Sequence, residues 1–177
     1  MPSPGHERPR SAGGRELTRD CRLPFSPRIH HLDSMIKRLA HLCFRTDQLD
    51  RMIPFYRDIL GLPIKFTLTN RDGQEFGCYF ACGDRSFLEL FDQQGAVRQW
   101  GGEVVTLQSP PGTFYQHFCL EVERIEAFRE NLVARRVSVT DIAVGMDGSK
   151  QCWIRDPDGN SIELMEYTGA SLQTKGT

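Results

Sequence analysis

The sequence lacks a marked excess of charge of either sign. Its 177 residues include 22 Lys and Arg against 23 Asp and Glu, which gives a formal net charge of -1 and a pI near 6.5. A protein of this charge offers no broad basic surface to nucleic-acid phosphates or to an anionic membrane. We therefore expect neither nucleic acid nor a membrane among its partners.

Long hydrophobic runs are also missing. No stretch approaches the roughly 18 consecutive apolar residues of a membrane span, and the N-terminal region lacks the apolar core of a secretory signal. The six cysteines are scattered, with no C-x-x-C pair. This pattern does not indicate a disulfide framework, so we expect reduced thiols and a cytoplasmic protein.

The two ends of the chain differ in composition from its centre. Residues 1–34 contain five prolines and six arginines without a sustained apolar period. Such a segment cannot bury enough surface to offset the entropy of ordering, so we predict a disordered N-terminal extension. An organellar transit peptide is the alternative, but the acidic residues and prolines argue against it. The predicted domain covers residues 35–168, and residues 169–177 are predicted to be a flexible C-terminal tail.

The central region nearly repeats itself. The segments 39–44 and 115–120 are both strand-like and both place a His and a Cys two residues apart. Each is followed by apolar residues at helical spacing, over 49–60 and 125–133, and then by strands separated by Gly- and Asp-containing turns. The pattern predicts an α+β fold of two βαβββ modules, at about 36–92 and 114–167. Pro54 predicts a kink in the first helix or a later start.

One polar position recurs in both modules. Since side chains alternate between the two faces of a strand, His41 and Cys43 share a face, as do His117 and Cys119. By the same alternation, Glu89 and Glu163 lie opposite their apolar neighbours. His41 and Glu89 are 48 residues apart, and His117 and Glu163 are 46 apart. Pseudo-symmetry between the modules is expected to bring these four groups together.

Two imidazoles and two carboxylates suit a divalent metal ion. Imidazole is a good ligand for zinc, nickel or iron, and carboxylate suits harder ions such as manganese. Taken singly, each of these side chains is more often hydrogen-bonded or solvent-facing than a ligand. The repetition of His and then Glu at equivalent places favours the joint metal site.

Two longer motifs carry a family resemblance. Residues 55–62 read Phe-Tyr-Arg-Asp-Ile-Leu-Gly-Leu, and residues 156–164 read Asp-Pro-Asp-Gly-Asn-Ser-Ile-Glu-Leu. With the paired modules, they resemble the vicinal oxygen chelate superfamily over about residues 36–167. The His, Glu, His, Glu order is similar to that of glyoxalase I, the lactoylglutathione lyases. The resemblance implies one divalent ion, nickel or zinc with cobalt, manganese or iron as alternatives, held by four ligands: His41, Glu89, His117 and Glu163.

The resemblance also implies an activity. These enzymes isomerise the hemithioacetal of glutathione and a 2-oxoaldehyde such as methylglyoxal to S-lactoylglutathione, through a metal-bound enediolate. Glu163 would be the base, with Glu89 assisting on the opposite face. The family also implies a homodimer whose sites form between subunits, with a site within one chain as the alternative.

Three residues are candidates for substrate binding. Arg45, four residues after the first ligand, matches the family's contact with a glutathione carboxylate. Gln93 stands where short bacterial glyoxalases carry an Asn, four residues after the first Glu. Lys150 lies in a predicted loop, where it would close over an anionic substrate or remain a solvated lysine.

Other functions of the superfamily stay open as alternatives. The long connection from residue 92 to residue 114 is closer in length to that of methylmalonyl-CoA epimerase, but Glu89 stands where that enzyme typically has Gln. Ring-cleaving dioxygenases of the superfamily use two His and one Glu around iron, so a second Glu disfavours them. A non-catalytic protein that binds a small molecule is the third alternative, disfavoured by the complete ligand set.

Overall fold

The computed structural model describes residues 37–107 and 115–175. The predicted N-terminal extension lies outside the described residues, as do residues 108–114 and 176–177. The chain divides into residues 1–37 and residues 38–177, and the two sheets belong to the second of these units.

Two four-stranded sheets form the fold. The first has the order β1-β4-β3-β2, with β1 parallel to β4 and the other pairs antiparallel. The second repeats this arrangement as β5-β8-β7-β6. This confirms the predicted α+β fold of two βαβββ modules. The elements are β1 (His41–Thr46), α1 (Leu49–Pro54), β2 (Ile64–Thr69), β3 (Glu75–Ala81), β4 (Phe87–Asp92), α2 (Gln93–Trp100), β5 (Phe118–Glu121), α3 (Ile125–Ala134), β6 (Ala143–Val144), β7 (Lys150–Arg155) and β8 (Ser161–Glu166).

A single apolar core lies on the helix side of both sheets. Alternation along β4 buries Leu88 and Leu90, and alternation along β8 buries Ile162 and Leu164. The apolar residues of α1 and α3 belong to the same cluster as these strand residues. Each sheet therefore has an apolar face turned to the core and a second face available for polar groups.

Pro54 changes the geometry of the first helix. The helix begins at Leu49, before the proline, so the alternative of a later start is wrong. After Pro54 the chain continues as a π-helical segment, Phe55–Ile59, in which the Leu60 amide donates to the Phe55 carbonyl at 3.0 Å. The predicted distortion thus takes the form of a wider helical turn directly after the proline, which supplies no backbone donor.

Two regular segments were not predicted. Helix α2 occupies the start of the connection between the modules, and the Asp92 carboxylate caps it by accepting from the Gly95 amide at 2.6 Å. Near the C-terminus, Leu172–Thr174 form a 3-10 turn, and Ser171 is fully buried with its hydroxyl 2.8 Å from that of Ser149. Ser171 thus connects this part of the C-terminal segment to the second module, and the flexibility of the tail stays a prediction.

Polar contacts join the two modules. The Tyr56 hydroxyl donates to the Asp156 carboxylate at 2.7 Å, and both residues are buried. The Gln48 amide donates to the Asp158 carboxylate at 2.6 Å. The Arg135 guanidinium donates to the carbonyl of Asp58 at 2.5 Å, which connects the end of α3 to the π-helical segment.

Two further expectations concern membrane-spanning helices and the state of the cysteines. None of the helices among the described residues is both long enough and apolar enough to cross a membrane. The five cysteines within the described ranges are free thiols, and Cys21 lies outside those ranges.

Candidate metal centre

The first module brings His41 and Glu89 together on its polar face. The two residues lie on the adjacent parallel strands β1 and β4, and His41 Nε2 is 3.5 Å from Glu89 Oε2. Cys43 is the register partner of Glu89, so its thiol projects from the same face. The Glu89 side chain is 13% exposed and that of His41 is 45% exposed. The carboxylate is thus recessed behind an accessible imidazole.

The second module repeats this arrangement. His117 directly precedes β5, and its Nε2 is 3.1 Å from Oε2 of Glu163 on β8. Cys119 is the register partner of Glu163. The exposed fractions of the side chains, 37% for His117 and 12% for Glu163, resemble those of the first pair. The pseudo-symmetry predicted from the sequence spacing therefore extends to the geometry of the two pairs.

An aromatic ring lies beside each histidine. Tyr79 on β3 is the register partner of Glu89, and its ring lies edge-on to the His41 ring at a centroid distance of 5.7 Å. Trp153 on β7 is the register partner of Glu163, and its ring lies edge-on to His117 at 4.7 Å. Tyr79 is not among the residues predicted from the sequence. A signal existed, because Tyr79 and Trp153 are 74 positions apart, the same separation as Glu89 and Glu163.

Both thiols near the carboxylates stay protonated at neutral pH. Burial raises the pKa of Cys43 to about 12, and the neighbouring Glu89 carboxylate adds to the effect. Burial also raises the pKa of Cys119 to about 12, with a further contribution from Glu163. A thiolate beside a carboxylate is unfavourable because like charges repel in a partly desolvated site. These cysteines therefore act as neutral side chains rather than as nucleophiles.

The donor atoms of each pair fit a divalent metal ion. Each carboxylate is largely desolvated, and within the described residues no lysine or arginine pairs with it. An imidazole nitrogen and a carboxylate oxygen are suitable ligands for zinc, nickel, cobalt and manganese. However, among residues 37–107 and 115–175, no three His, Cys, Asp or Glu side chains are grouped closely enough to hold one ion. Each module therefore presents one His–Glu pair, and the described part of the chain does not group the two pairs around one point.

A cavity of about 940 Å³ lies between the two modules. His41 and His117 are both on its lining, which is otherwise mostly apolar, with Leu42 and Leu88 from one module and Phe118 from the other. The strands next to it, β1 and β5, are each at the end of their sheet. An edge strand of this kind carries backbone groups that another chain can pair with or cover.

Arg45 lies on the same strand face as His41 and Cys43 and is exposed. It lines a second cleft of about 530 Å³, to which Gln48 and Asp158 also contribute. Within the described residues, no carboxylate forms an ion pair with Arg45. Its guanidinium is therefore available to an anionic ligand, as the predicted role requires.

The other two predicted substrate contacts are already engaged. Gln93 is 1% exposed, and its amide bonds to Asp47 and to the backbone of Val105. Lys150 is the first residue of β7 and not a loop residue, and its ammonium is 2.5 Å from the Glu126 carboxylate. It shares a strand face with the buried Cys152, opposite to the face of Trp153 and Glu163. The structure thus does not bring Lys150 to the Glu163 face of its own chain.

Comparison with known proteins decides the family. Residues 38–164 match the Glyoxalase/Bleomycin resistance protein/Dioxygenase superfamily. The chain belongs to this superfamily. That result confirms the resemblance drawn from the two motifs, and it covers both modules together with the connection between them.

Individual members of the superfamily resemble the whole domain. The chain is 29% identical to the lactoylglutathione lyase of Haemophilus influenzae over 73% of its length and 92% of the relative. It is 28% identical to the lactoylglutathione lyase of Escherichia coli O157:H7, covering 75% of this chain and 95% of the relative. The crystal structure of lactoylglutathione lyase from Agrobacterium tumefaciens superposes with a TM-score of 0.55 at 28% identity, covering 77% of this chain and 96% of that one.

Proposed function

We propose that the protein is a metal-dependent lyase of the glyoxalase I type, which isomerises the hemithioacetal of glutathione and methylglyoxal to S-lactoylglutathione. The observation that carries this proposal is the twofold His–Glu pair, with a neutral thiol and an aromatic ring beside each pair. The relatives named lactoylglutathione lyase, which the chain matches over most of their length, support it. The proposed role in a cell is the removal of methylglyoxal in the cytoplasm.

Four residues would hold the metal ion: His41, Glu89, His117 and Glu163. Bound there, a divalent ion would polarise the adjacent oxygens of the substrate and so make the neighbouring carbon more acidic. Nickel and zinc are the proposed ions, with cobalt, manganese and iron as alternatives, since all accept imidazole together with carboxylate.

Glu163 is the proposed base. Its carboxylate would take the proton from C1 of the hemithioacetal and return it to C2, while a second proton moves from the oxygen on C1 to that on C2. Because the shuttle restores the carboxylate, no external reductant or oxidant is required. Glu89, in the equivalent place of the other module, would assist from the opposite face. Cys119 remains a thiol beside Glu163 and does not compete for the substrate as a nucleophile.

Arg45 is the proposed anchor for the glutathione part of the substrate. Its guanidinium offers a planar set of donors that matches a carboxylate. Lys150 is retained as a weaker candidate, since it would have to leave Glu126 to meet a substrate.

The complete site is proposed to form between two copies of the chain. Each module holds one His–Glu pair, and the four side chains are not grouped within the described part of one chain. The edge strands β1 and β5 next to the cavity offer a surface for a second copy. A homodimer would then place the first pair of one protomer opposite the second pair of its partner, with twofold symmetry giving two equal sites.

The test is turnover of the glutathione–methylglyoxal hemithioacetal by apoprotein reloaded separately with nickel, zinc, cobalt or manganese. We expect metal-dependent conversion that is lost in His117→Ala and falls by about a hundredfold or more in Glu163→Gln, a typical loss for removal of a general base. Glu130→Gln, an exposed change on α3, serves as the matched control and should keep full activity. Absence of turnover with every metal would contradict the proposal.

A further inference from the structure

The side-chain amide of Gln93 forms hydrogen bonds with residues 101–107, a segment of the connection between the modules. Its Nε2 donates to the Asp47 carboxylate at 2.5 Å and to the Val105 carbonyl at 2.8 Å, and its Oε1 accepts from the Val105 amide at 3.1 Å. Both N–H groups and the carbonyl are therefore used, and the side chain is 1% exposed. Both amide donors are thus occupied, and burial keeps the side chain out of reach of a ligand.

The last residues of the segment 101–107 form a wall of the cleft that contains Arg45. Val105, Thr106 and Leu107 line this cleft of about 530 Å³ next to Arg45. Val105 itself is 49% exposed, so apolar packing contributes little to its placement. Residues 101–107 lie outside helix and strand, and hydrogen bonds from one buried side chain thus hold the segment against the cleft.

Gln93 also connects this wall to the proposed metal centre. It is the first residue of α2, directly after β4, the strand that carries Glu89. Its other partner, Asp47, directly follows β1, the strand that carries His41 and Arg45. A displacement of the amide would therefore move the wall relative to Arg45 while leaving the strands that hold His41 and Glu89 in place.

We propose that Gln93 is a positioning residue that determines which thiol the protein accepts, by holding residues 101–107 as the wall of the Arg45 cleft. The inference rests on the proposed function, in which Arg45 binds a carboxylate of the thiol part of the substrate. The side-chain length fits this role, because the additional methylene of Gln relative to Asn extends the amide to the Val105 backbone. The substrate carboxylate is held by Arg45, and the wall contacts the group that carries it, so a thiol large enough to reach both is favoured over a smaller one.

The test compares Gln93→Leu with Gln94→Leu, a change at the exposed neighbouring position of α2. The first readout, hydrogen exchange of the Val105 amide, requires no activity. We expect faster exchange across residues 103–107 in Gln93→Leu and wild-type exchange in Gln94→Leu, because only the former removes the acceptor of the Val105 amide.

The second readout is specificity in the metal-loaded protein. We expect Gln93→Leu to raise KM for the glutathione hemithioacetal by about tenfold with little change in kcat, since the chemical groups are untouched and the binding that is lost is equal in the ground state and the transition state. The preference for glutathione over the smaller thiol mercaptoacetate, measured as a ratio of kcat/KM values, should fall by a similar factor. Gln93→Asn should show the same loss of preference, because the shorter side chain does not reach the Val105 backbone.

The outcomes separate this inference from the proposed function. If the wild-type protein converts the hemithioacetal but Gln93→Leu matches Gln94→Leu in exchange, KM and thiol preference, the inference is overturned and the lyase proposal stands. If the wild-type protein shows no turnover with any metal, the lyase proposal fails. In that case the exchange experiment still decides whether Gln93 holds the segment, and calorimetry with glutathione decides whether the cleft binds this thiol.

Discussion

At the scale of single residues, each module repeats a row of three side chains across neighbouring strands. The rows are Cys43, Glu89 and Tyr79 in the first sheet, and Cys119, Glu163 and Trp153 in the second. In both rows a carboxylate lies between a thiol and an aromatic ring, and a histidine approaches it from the edge strand. Such a row limits the freedom of the carboxylate, which is a requirement for a ligand or a base held in a defined place.

The thiols in these rows lead to a prediction about reactivity. Because the pKa of Cys43 and of Cys119 is about 12, the thiolate fraction at pH 8 is about one in ten thousand. We expect iodoacetamide to modify neither residue within a time that modifies a free cysteine completely, although both residues are classed as exposed. Mass spectrometry of the alkylated peptides is the measurement. Rapid modification at pH 8 would show that burial and the neighbouring carboxylates do not raise the pKa of these thiols.

Residue-level prediction from the sequence was accurate where strand alternation decides the outcome. Counting alternate positions placed His41, Glu89, His117 and Glu163 on the polar faces of their strands, and the structure shows a His–Glu pair on each of these faces. The expectation that all four come together is not met within the described part of one chain. The contacts of Gln93 and Lys150 were harder to predict from the sequence, because the tertiary fold determines their partners, Val105 and Glu126. No local pattern in the sequence indicates those contacts.

At the scale of elements, helix α2 is the main addition to the predicted architecture. The sequence contains a suitable N-cap in Asp92, but Gly95 in the first turn lowers helical propensity and concealed the helix. The structure gives the reason for the glycine. A Cβ atom at position 95 would lie 2.2 Å from Cβ of Phe76 on β3, so this side of the helix has no room for a side chain.

Substitution of that glycine is expected to destabilise the protein. Gly95→Ala must push α2 away from β3, and overpacking of this kind costs about 1–3 kcal/mol of unfolding free energy. Gly169→Ala is the matched control, since nothing lies within 4 Å of its added Cβ. Urea unfolding of the two variants and the wild-type protein measures the difference. Equal stability of Gly95→Ala and the control would contradict the close packing of α2 on β3.

At the scale of the whole molecule, a buried carboxylate connects the two modules. Asp156 is 5% exposed and accepts hydrogen bonds from the Tyr56 hydroxyl and from the backbone and side chain of Asn160. Burial raises its pKa above the usual value, although the hydrogen bonds from Asn160 and Tyr56 oppose the shift. The hydrogen bond between Tyr56 and Asp156 thus joins the two modules. The repeat in the sequence does not predict this contact, because it uses one residue from each module.

The raised pKa predicts how stability depends on pH. Asp156 binds its proton more tightly in the folded state than in the unfolded chain. Protonation of Asp156 therefore stabilises the fold at pH values below the unfolded pKa, and this stabilisation is lost as pH rises through the folded pKa. Asp156→Asn removes this titration, so its unfolding free energy should increase relative to wild type between about pH 3 and about pH 6. Urea unfolding at the two pH values measures the change. The exposed Asp72→Asn is the control, and a constant difference between Asp156→Asn and wild type would refute the shift.

Assembly of the proposed site from two copies of the chain is the central claim, and mixed protomers test it most directly. His41→Ala and His117→Ala, each inactive alone, would be unfolded together in equal amounts, refolded and reloaded with nickel. If sites form between protomers, half of the dimers are mixed and one of their two sites is intact, so about one quarter of wild-type lyase activity should return. A mixture as inactive as its two components, under conditions in which wild type refolds to full activity, would contradict the account.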